Sequence, residues 1–282
     1  MKELNGKVLY TPKGAAREYA AVGCNFYKGC PHGCTYCYLK RGVLGKELGG
    51  TEVELKKCFK DEWDALEVFA REFEKNLEVI KKYGIFFSFT TDPMIKQTRS
   101  LTLSAMKKCV ERGVPVTILT KNADFVSNGD VMYSFLLDTK FLQREKVAFG
   151  FTLTGHDEME PNASSNLNRI NAMRNLKQLG FRTWASIEPI IDFEASLRMI
   201  KESADCCDHY KIGLRSGVKK DYYDPEECIQ FIEEVNDMLA PSKTIYWKES
   251  VRKLIKDYTT LGIIDKDPKS VGRDFSLFDT EE

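Results

Sequence analysis

The feature that most constrains the fold is a regular alternation, from residue 85 onward, of short apolar runs and helical patterns. The runs are rich in β-branched and aromatic residues, which favour buried strands. Six strands are predicted, at residues 85–90, 114–120, 147–152, 181–187, 208–214 and 244–247. Five segments between them have helical periodicity, at residues 100–111, 130–137, 166–179, 194–204 and 225–239. This alternation predicts right-handed βαβ units and a parallel sheet.

Three more elements complete this pattern. Residues 19–26 are predicted to form a first short strand, residues 61–83 a helix and residues 249–258 the last helix. Six or seven strand–helix units fit a partial (β/α)6 barrel better than a closed eight-stranded barrel, with a doubly wound open sheet as the alternative. In either architecture the chemistry belongs at the carboxyl ends of the strands.

The composition is that of an ordinary globular protein, with 282 residues, 43% hydrophobic and 30% charged. We expect one domain over residues 1–282, with a lead-in at about residues 1–20 and a polar tail at about residues 260–282. No apolar run reaches membrane-spanning length and the N-terminus lacks a signal-peptide core, so a cytoplasmic protein with no membrane partner is expected. The 42 basic and 42 acidic residues balance, so the net charge does not indicate a nucleic-acid partner.

Cysteine is frequent, with nine residues, and an odd number without secretory features favours reduced thiols and a cofactor over disulfides. Cys30, Cys34 and Cys37 lie at spacings of four and three residues in a loop that also contains Gly29 and Gly33. Three thiolates can therefore converge on one group while a fourth coordination position stays open. The other cysteines are interpreted as small buried hydrophobic residues.

Two kinds of metal site fit such a loop. An iron–sulfur cluster with three protein ligands keeps one iron open to an exogenous ligand. A structural zinc site needs four ligands, and a zinc knuckle completed by His32 or Cys24 is the alternative. Since Tyr36 precedes the last cysteine, the spacing resembles the cluster loop of the radical S-adenosylmethionine (radical SAM) enzymes. In that superfamily a 4Fe-4S cluster binds the amino and carboxylate groups of SAM.

Polar residues follow the predicted strands, where a cleft for an amino acid, a ribose and an adenine would lie. They include Thr90-Thr91-Asp92 after residue 89, Thr120-Lys121, Thr152, and Glu188. Taken singly, such residues also end strands and begin turns in many proteins. Above a three-cysteine loop, their combination favours a binding site.

A narrower resemblance covers residues 11–191. Gly29-Cys30-x-His32-Gly33-Cys34-x-Tyr36-Cys37-Tyr38 with its lead-in is similar to the spore photoproduct lyase-like (SplB-like, "DNA repair photolyase") branch of the radical SAM proteins. Thr91-Asp92-Pro93, Thr120-Lys121, and Glu160-Pro161 with Arg169 resemble further motifs of that branch. The implied fold is a partial (β/α)6 radical SAM barrel with parallel strands and the cluster loop after the first strand.

The resemblance implies a role for each matching residue. The cluster ligands are Cys30, Cys34 and Cys37, and Tyr36 packs near the adenine of SAM. Thr90 or Thr91 contacts the SAM amino group, Lys121 its carboxylate and Thr152 the ribose. Glu188 is a further candidate contact to the cofactor, and no catalytic residue is assigned.

The expected function is reductive cleavage of SAM to a 5′-deoxyadenosyl radical, which abstracts hydrogen from an unidentified substrate. DNA or RNA, as in the resembling branch, and a peptide or small molecule are the substrate classes considered. The electron donor would be a reductase or a flavodoxin- or ferredoxin-type protein.

Spore photoproduct lyases place a hydrogen-donating cysteine at the end of strand two, where this chain has Ser88 to Thr91, so repair of the spore lesion is disfavoured. The alternative is a non-catalytic zinc or iron–sulfur module that binds nucleic acid or a protein.

Overall fold

The computed structural model describes residues 2–41, 45–126, 143–258 and 261–278. Its main sheet contains eight strands within these ranges: β1 (Leu9–Tyr10), β2 (Gly23–Cys24), β5 (Ile85–Phe87), β6 (Val116–Thr120), β7 (Val147–Thr152), β8 (Arg182–Ile190), β9 (His209–Leu214) and β10 (Thr244–Trp247). Two further strands, β3 (Tyr27–Lys28) and β4 (Glu54–Leu55), pair antiparallel in a separate small sheet.

The strand order confirms the predicted fold class. From β2 onward the strands are parallel and each lies beside the next one along the chain, in the order β2-β5-β6-β7-β8-β9-β10, while β1 pairs antiparallel with β2 at one edge. A doubly wound sheet reverses its order at a switch point, and this sheet does not. The strands are in register, with Thr120 opposite Phe151 and Thr152 opposite Ser186, so their carboxyl ends form one edge.

The curvature of a barrel is visible in contacts across the sheet. The rings of Phe86 in β5 and Trp184 in β8 lie 6.4 Å apart, and Tyr19 lies within 6.2 Å of both. Three strand spacings in a flat sheet would separate β5 from β8 by about 14 Å. The sheet is therefore strongly curved, with Phe86 and Trp184 on its concave face.

Nine helices lie in the described residues: α1 (Gly45–Leu48), α2 (Glu62–Lys75), α3 (Leu77–Tyr83), α4 (Arg99–Glu111), α5 (Asn166–Gln178), α6 (Phe193–Ser203), α7 (Pro225–Met238), α8 (Glu249–Leu254) and α9 (Leu261–Asp265). Four predicted helices, α4 to α7, are reproduced to within one residue at each end. Side-chain caps at Ser165, Asp192 and Asp224 fix the starts of α5, α6 and α7. The predicted helix at residues 130–137 lies outside the described residues.

The prediction of one helix over residues 61–83 is wrong, because the segment is broken at Asn76 between α2 and α3. The Asn76 side chain donates to the carbonyl of Glu72 at 2.7 Å. A short amide that bonds to a nearby carbonyl competes with helical backbone geometry. The last predicted helix also ends early, at Leu254.

The core has two parts, one on each face of the sheet. A large cluster, including Ile85 and Phe87, fills the space between the strands and the helices. A smaller cluster of Phe86, Ala148 and Trp184 lies on the concave face, because alternate residues of a strand point to opposite faces. Tyr19 of the lead-in and Leu277 and Phe278 near the C-terminus pack against this inner cluster.

The expected polar tail is thus packed against the barrel. Ser270 forms a parallel bridge with Ile245, Asp274 pairs with Arg17 at 2.7 Å, and the ring of Phe275 lies 5.3 Å from that of His209. Since His209 begins β9, the tail covers the amino ends of the strands.

The single-domain assignment stays a prediction. Across the described ranges, none of the helices combines the length and apolar character needed to cross a membrane.

Candidate functional site

The cysteine loop follows β3 and is held by its own backbone. The N–H of Cys30 donates to Gly50 O at 2.9 Å, and the N–H of Cys37 donates to Cys34 O at 3.3 Å. Gly29 has φ +79°, and a Cβ there would lie 1.9 Å from Glu52 O, so only glycine fits. Cys34 is buried, and Cys30 and Cys37 are partly exposed. Of the six cysteines outside the loop, five are buried, but the prediction is wrong for Cys58, which is exposed.

The environment of Cys30 and Cys34 disfavours the anionic form of their thiols. Burial and the nearby Asp92 raise the pKa of Cys30 to about 12, although Lys121 opposes the change. Burial also raises the pKa of Cys34, to which Glu160 contributes. These thiols become strong ligands when a cation replaces their protons. In the described part of the chain, no three His, Cys, Asp or Glu side chains are arranged to hold a single metal ion.

The two residues proposed to complete a zinc knuckle are engaged elsewhere. His32 is buried, with Nε2 2.7 Å from Asp92 Oδ2 and Nδ1 3.2 Å from Asn162 O. Cys24 is fully buried in β2, where burial raises the pKa of its thiol well above the usual value. The structure therefore does not support either residue as a fourth ligand to zinc.

Asp92 joins the cysteine loop to the ends of two strands. Its carboxylate accepts hydrogen bonds from the N–H of Met94 at 2.9 Å, the N–H of Lys121 at 2.8 Å and the hydroxyl of Thr120 at 2.7 Å, in addition to its contact with His32. Burial alone would raise the pKa of Asp92, but these donors and His32 outweigh it, so the pKa is lowered. Sequence reasoning placed Asp92 at a strand end but did not identify it as the centre of this network.

Glu160 and Arg169 form a fully buried ion pair beside Tyr36. Arg169 Nη2 lies 2.6 Å from Glu160 Oε2, and the exposure of both side chains is 0%. The Tyr36 hydroxyl donates to Glu160 Oε1, and Arg169 Nη1 donates to Thr152 O at 2.8 Å. The Lys121 ammonium lies 5.6 Å from the centre of the Tyr36 ring. Tyr36, Lys121 and Thr152 thus belong to one neighbourhood, whereas their contacts to SAM stay a prediction.

The two candidate threonines differ in their bonding. Thr90 Oγ1 donates to Tyr27 O at 2.6 Å, which occupies its hydroxyl. Thr91 Oγ1 is buried and has no hydrogen-bond partner among the described residues. Because an unpaired buried hydroxyl is costly, Thr91 suits a contact to a bound ligand better than Thr90 does.

Glu188 lies on the concave face of the sheet, near Tyr19 and Lys248. Its carboxylate accepts from the Tyr19 hydroxyl and lies 2.5 Å from Lys248 Nζ. Tyr19 also bonds Ser186 Oγ at 2.8 Å. Contact between Glu188 and a cofactor stays a prediction, and a ligand would have to share the carboxylate with Tyr19 and Lys248.

The residues present fit a cluster with SAM. Three cysteines share one loop at the carboxyl edge of the sheet, and neither His32 nor Cys24 supplies a fourth ligand. The Lys121 ammonium acts electrostatically on Cys30 and Cys34, and the unpaired Thr91 hydroxyl belongs to the residue before Asp92, which contacts His32 of the loop. This donor set matches a metal group with one open position and a zwitterionic ligand.

Comparison with known proteins gives distant similarities. No family model matches the chain. An uncharacterized protein of Methanocaldococcus jannaschii is 26% identical over 176 residues, which are 59% of each chain.

Two solved structures align with most of the chain. Streptococcus suis SuiB bound to S-adenosylmethionine aligns with 83% of this chain and 51% of its own, at 15% identity and a TM-score of 0.51. Spore photoproduct lyase complexed with dinucleoside spore photoproduct aligns with 89% of this chain and 64% of its own, at 17% identity and a TM-score of 0.49. The chain spans about half to two thirds of the length of these relatives. The parallel strand order and the likeness to SuiB show a partial α/β barrel, which is the predicted fold class.

Proposed function

We propose that the protein is a radical SAM enzyme of the spore photoproduct lyase-like branch, with a 4Fe-4S cluster bound by Cys30, Cys34 and Cys37. The observation that carries this proposal is the position of the three-cysteine loop next to Lys121, whose ammonium lies 5.6 Å from the centre of the Tyr36 ring. The unpaired Thr91 hydroxyl belongs to the residue before Asp92, which contacts His32 of the loop. In radical SAM chemistry, one electron from the cluster cleaves SAM into methionine and a 5′-deoxyadenosyl radical that abstracts hydrogen from substrate.

The residues around the loop bind and orient the cofactor in this proposal. Lys121 pairs with the SAM carboxylate, and the Thr91 hydroxyl accepts a hydrogen bond from the SAM ammonium. The Tyr36 ring packs near the adenine, and Thr152 lies near the ribose. Charge-assisted hydrogen bonds in a desolvated cleft are stronger than neutral ones, so Lys121 contributes most to SAM affinity. Tyr19, Phe86 and Trp184 pack together on the concave face of the sheet.

The test is anaerobic reconstitution with iron and sulfide, followed by SAM and dithionite. We expect four iron and four sulfide per chain, and 5′-deoxyadenosine detected by mass spectrometry. Cys34→Ala should lose both the cluster and the product, whereas Cys58→Ala, at an exposed cysteine outside the loop, should retain them. Zinc at one per chain without sulfide, or product formation that persists in Cys34→Ala, would contradict the proposal.

The substrate proposed first is nucleic acid, because the sequence resembles the SplB-like branch. At the strand end where spore photoproduct lyases have a cysteine, this chain has Ser88 to Thr91, and the Ser88 hydroxyl donates to Thr91 O at 2.7 Å. A lesion whose repair needs that thiol is therefore not proposed as the substrate. Single-stranded and duplex DNA and RNA, and a peptide mixture, should each be tested for stimulation of 5′-deoxyadenosine formation. Stimulation by peptide alone would move the proposal to a peptide substrate.

A cytoplasmic flavodoxin- or ferredoxin-type protein is the proposed electron donor.

A further inference from the structure

The cysteine loop is attached to the strand ends by two separate polar connections, each of which passes through a buried carboxylate. The first runs from His32 to Asp92, which accepts the backbone N–H of Lys121 at 2.8 Å. The side chains of His32 and Asp92 are each 5% exposed. The connection therefore joins the loop to the main chain of the residue proposed to bind the SAM carboxylate.

The second connection runs from Tyr36 through Glu160 to Arg169, which donates to the backbone carbonyl of Thr152 at 2.8 Å. The Glu160–Arg169 pair is fully buried. Thr152 is the residue proposed to contact the ribose. Two independent connections thus end at the main-chain groups of two proposed SAM contacts.

The segment that contains Glu160 also holds the loop through its backbone. Thr35 N–H donates to Met159 O at 3.0 Å, and Asn162 N–H donates to His32 O at 3.2 Å. The loop would therefore stay attached at this side when the Glu160 carboxylate is neutralised. What the carboxylate adds is a fixed distance between Tyr36 and Thr152.

Buried charges of this kind are expensive to retain. The free energy needed to desolvate a buried ion pair is often as large as the free energy gained from the attraction between the charges. A variant with apolar residues of similar shape in place of the pair is frequently no less stable. Stability alone is therefore a weak reason for two such connections in one site. Precise placement of groups that bind a cofactor is a stronger one, since misplacement by about 1 Å can cost 100-fold in rate.

We propose that Asp92 and Glu160 are positioning residues that set the distance from the cysteine loop to Lys121 and Thr152, and hence the affinity of the site for SAM. They bind neither the metal nor SAM. This inference rests on the proposed function, and it assigns a role to two carboxylates beyond the thiol ligands and the direct SAM contacts.

The test uses reconstituted full-length protein with Asp92→Asn and Glu160→Gln. The matched control is Glu72→Gln, because the Glu72 carboxylate also accepts three backbone N–H groups, but from Lys7, Val8 and Leu9 of the lead-in and not from the cysteine loop or the strand ends. We measure iron and sulfide per chain, the Kd for SAM by calorimetry, and the change that SAM produces in the EPR spectrum of the reduced cluster. Unfolding midpoints report the stability of each variant.

We expect Asp92→Asn and Glu160→Gln to retain four iron per chain, to raise the Kd for SAM at least tenfold, and to reduce the EPR change. With SAM as the varied substrate, KM should rise more than kcat falls. Glu72→Gln should lose stability but bind SAM like the wild type. Equal SAM affinity in all proteins with a full cluster would overturn the inference, and so would loss of the cluster itself from Asp92→Asn and Glu160→Gln.

Milder variants keep the test decisive if a carboxylate variant does not fold. Thr120→Val removes one donor to Asp92, and Tyr36→Phe removes the hydroxyl that donates to Glu160. Each should raise the Kd for SAM about threefold or more, and unchanged affinity in both would overturn the inference. If the wild type binds neither cluster nor SAM, the proposed function fails; if it binds both and the variants match it, only the positioning role fails.

Discussion

The Nε2 atom of His32 lies 2.7 Å from Oδ2 of Asp92, and both side chains are buried although 60 residues separate them in the chain. The contact joins the cysteine loop to the segment after β5. It also explains why a histidine between two cysteines is not a metal ligand here: both ring nitrogens face protein acceptors. His32 is therefore part of the support of the loop.

Replacement of His32 by Phe should destabilise the apoprotein. The ring volume is kept, but Asp92 loses one of its donors in a buried position, which typically costs about 1–3 kcal/mol. Urea unfolding of the two proteins measures the difference in the free energy of unfolding. A change below about 0.5 kcal/mol, which is usual for surface substitutions, would show that the contact is energetically neutral.

The Glu160–Arg169 pair predicts strong coupling between two substitutions. Arg169→Met leaves a buried carboxylate without its cation and should cost about 3–5 kcal/mol. Glu160→Gln with Arg169→Met removes both charges, so the double variant should be less destabilised than the sum of the two single variants. A double-mutant cycle from unfolding midpoints measures this coupling. Additive effects would contradict the buried pair.

Much of the fold follows from local sequence patterns. The apolar runs in β5 to β10 and the caps of α5, α6 and α7 are properties of neighbouring residues, and the structure reproduces these elements. The break at Asn76 was missed because the apolar periodicity continues through it. The bond from Asn76 to Glu72 O interrupts the helix without changing that pattern.

Contacts between distant segments are what the sequence could not supply. The Tyr36 hydroxyl donates to Glu160, which lies 124 residues later in the chain, and the Tyr19 hydroxyl donates to Glu188, which lies 169 residues later. The resemblance pointed to Glu160 and Arg169 as a motif, but only their burial shows that they pair. The sequence likewise indicates a polar tail at about residues 260–282 but not where it lies, and only the structure shows Phe275, Leu277 and Phe278 packed against the barrel.

Gly150 is predicted to be irreplaceable by alanine. A Cβ at this position in β7 would lie 2.1 Å from the indole of Trp184, which is itself fully buried on the concave face. Overpacking of this kind typically costs about 1–3 kcal/mol. Gly272→Ala is the matched control, because no heavy atom lies within 4 Å of its Cβ position. Thermal unfolding should separate the two variants, and equal midpoints would contradict the packing described here.

Thr90 and Thr91 offer a matched pair for the proposed SAM site. Thr91→Val removes a buried hydroxyl that has no partner among the described residues, so stability should be unchanged or slightly higher while the Kd for SAM rises about tenfold. Thr90→Val removes the bond to Tyr27 O and should cost about 1 kcal/mol without weakening SAM binding. Calorimetric titration of both reconstituted variants with SAM decides between the two residues. The reverse pattern would assign the contact to Thr90.

His156 predicts a pH-dependent contribution to stability at the mouth of the barrel. Its Nδ1 lies 2.7 Å from Glu158 Oε1 and its Nε2 2.6 Å from Asp192 Oδ2, with Arg198 the nearby cation that acts on Asp192. Partial burial lowers the pKa of His156, but the hydrogen bonds to Glu158 and Asp192 outweigh this effect and raise it.

Because the folded pKa of His156 is raised, its contribution to stability is fully present below the unfolded value of about 6.5 and is lost as the pH rises through the folded pKa. His156→Gln should therefore be destabilised relative to the wild type at pH 5.5, and the difference should shrink at pH 8 to 9. Glu158→Gln removes one acceptor, so in that background the contribution should disappear at a lower pH. Unfolding midpoints measured over this range test both statements, and a difference that grows with pH would show that His156 is neutral when it bridges Glu158 and Asp192.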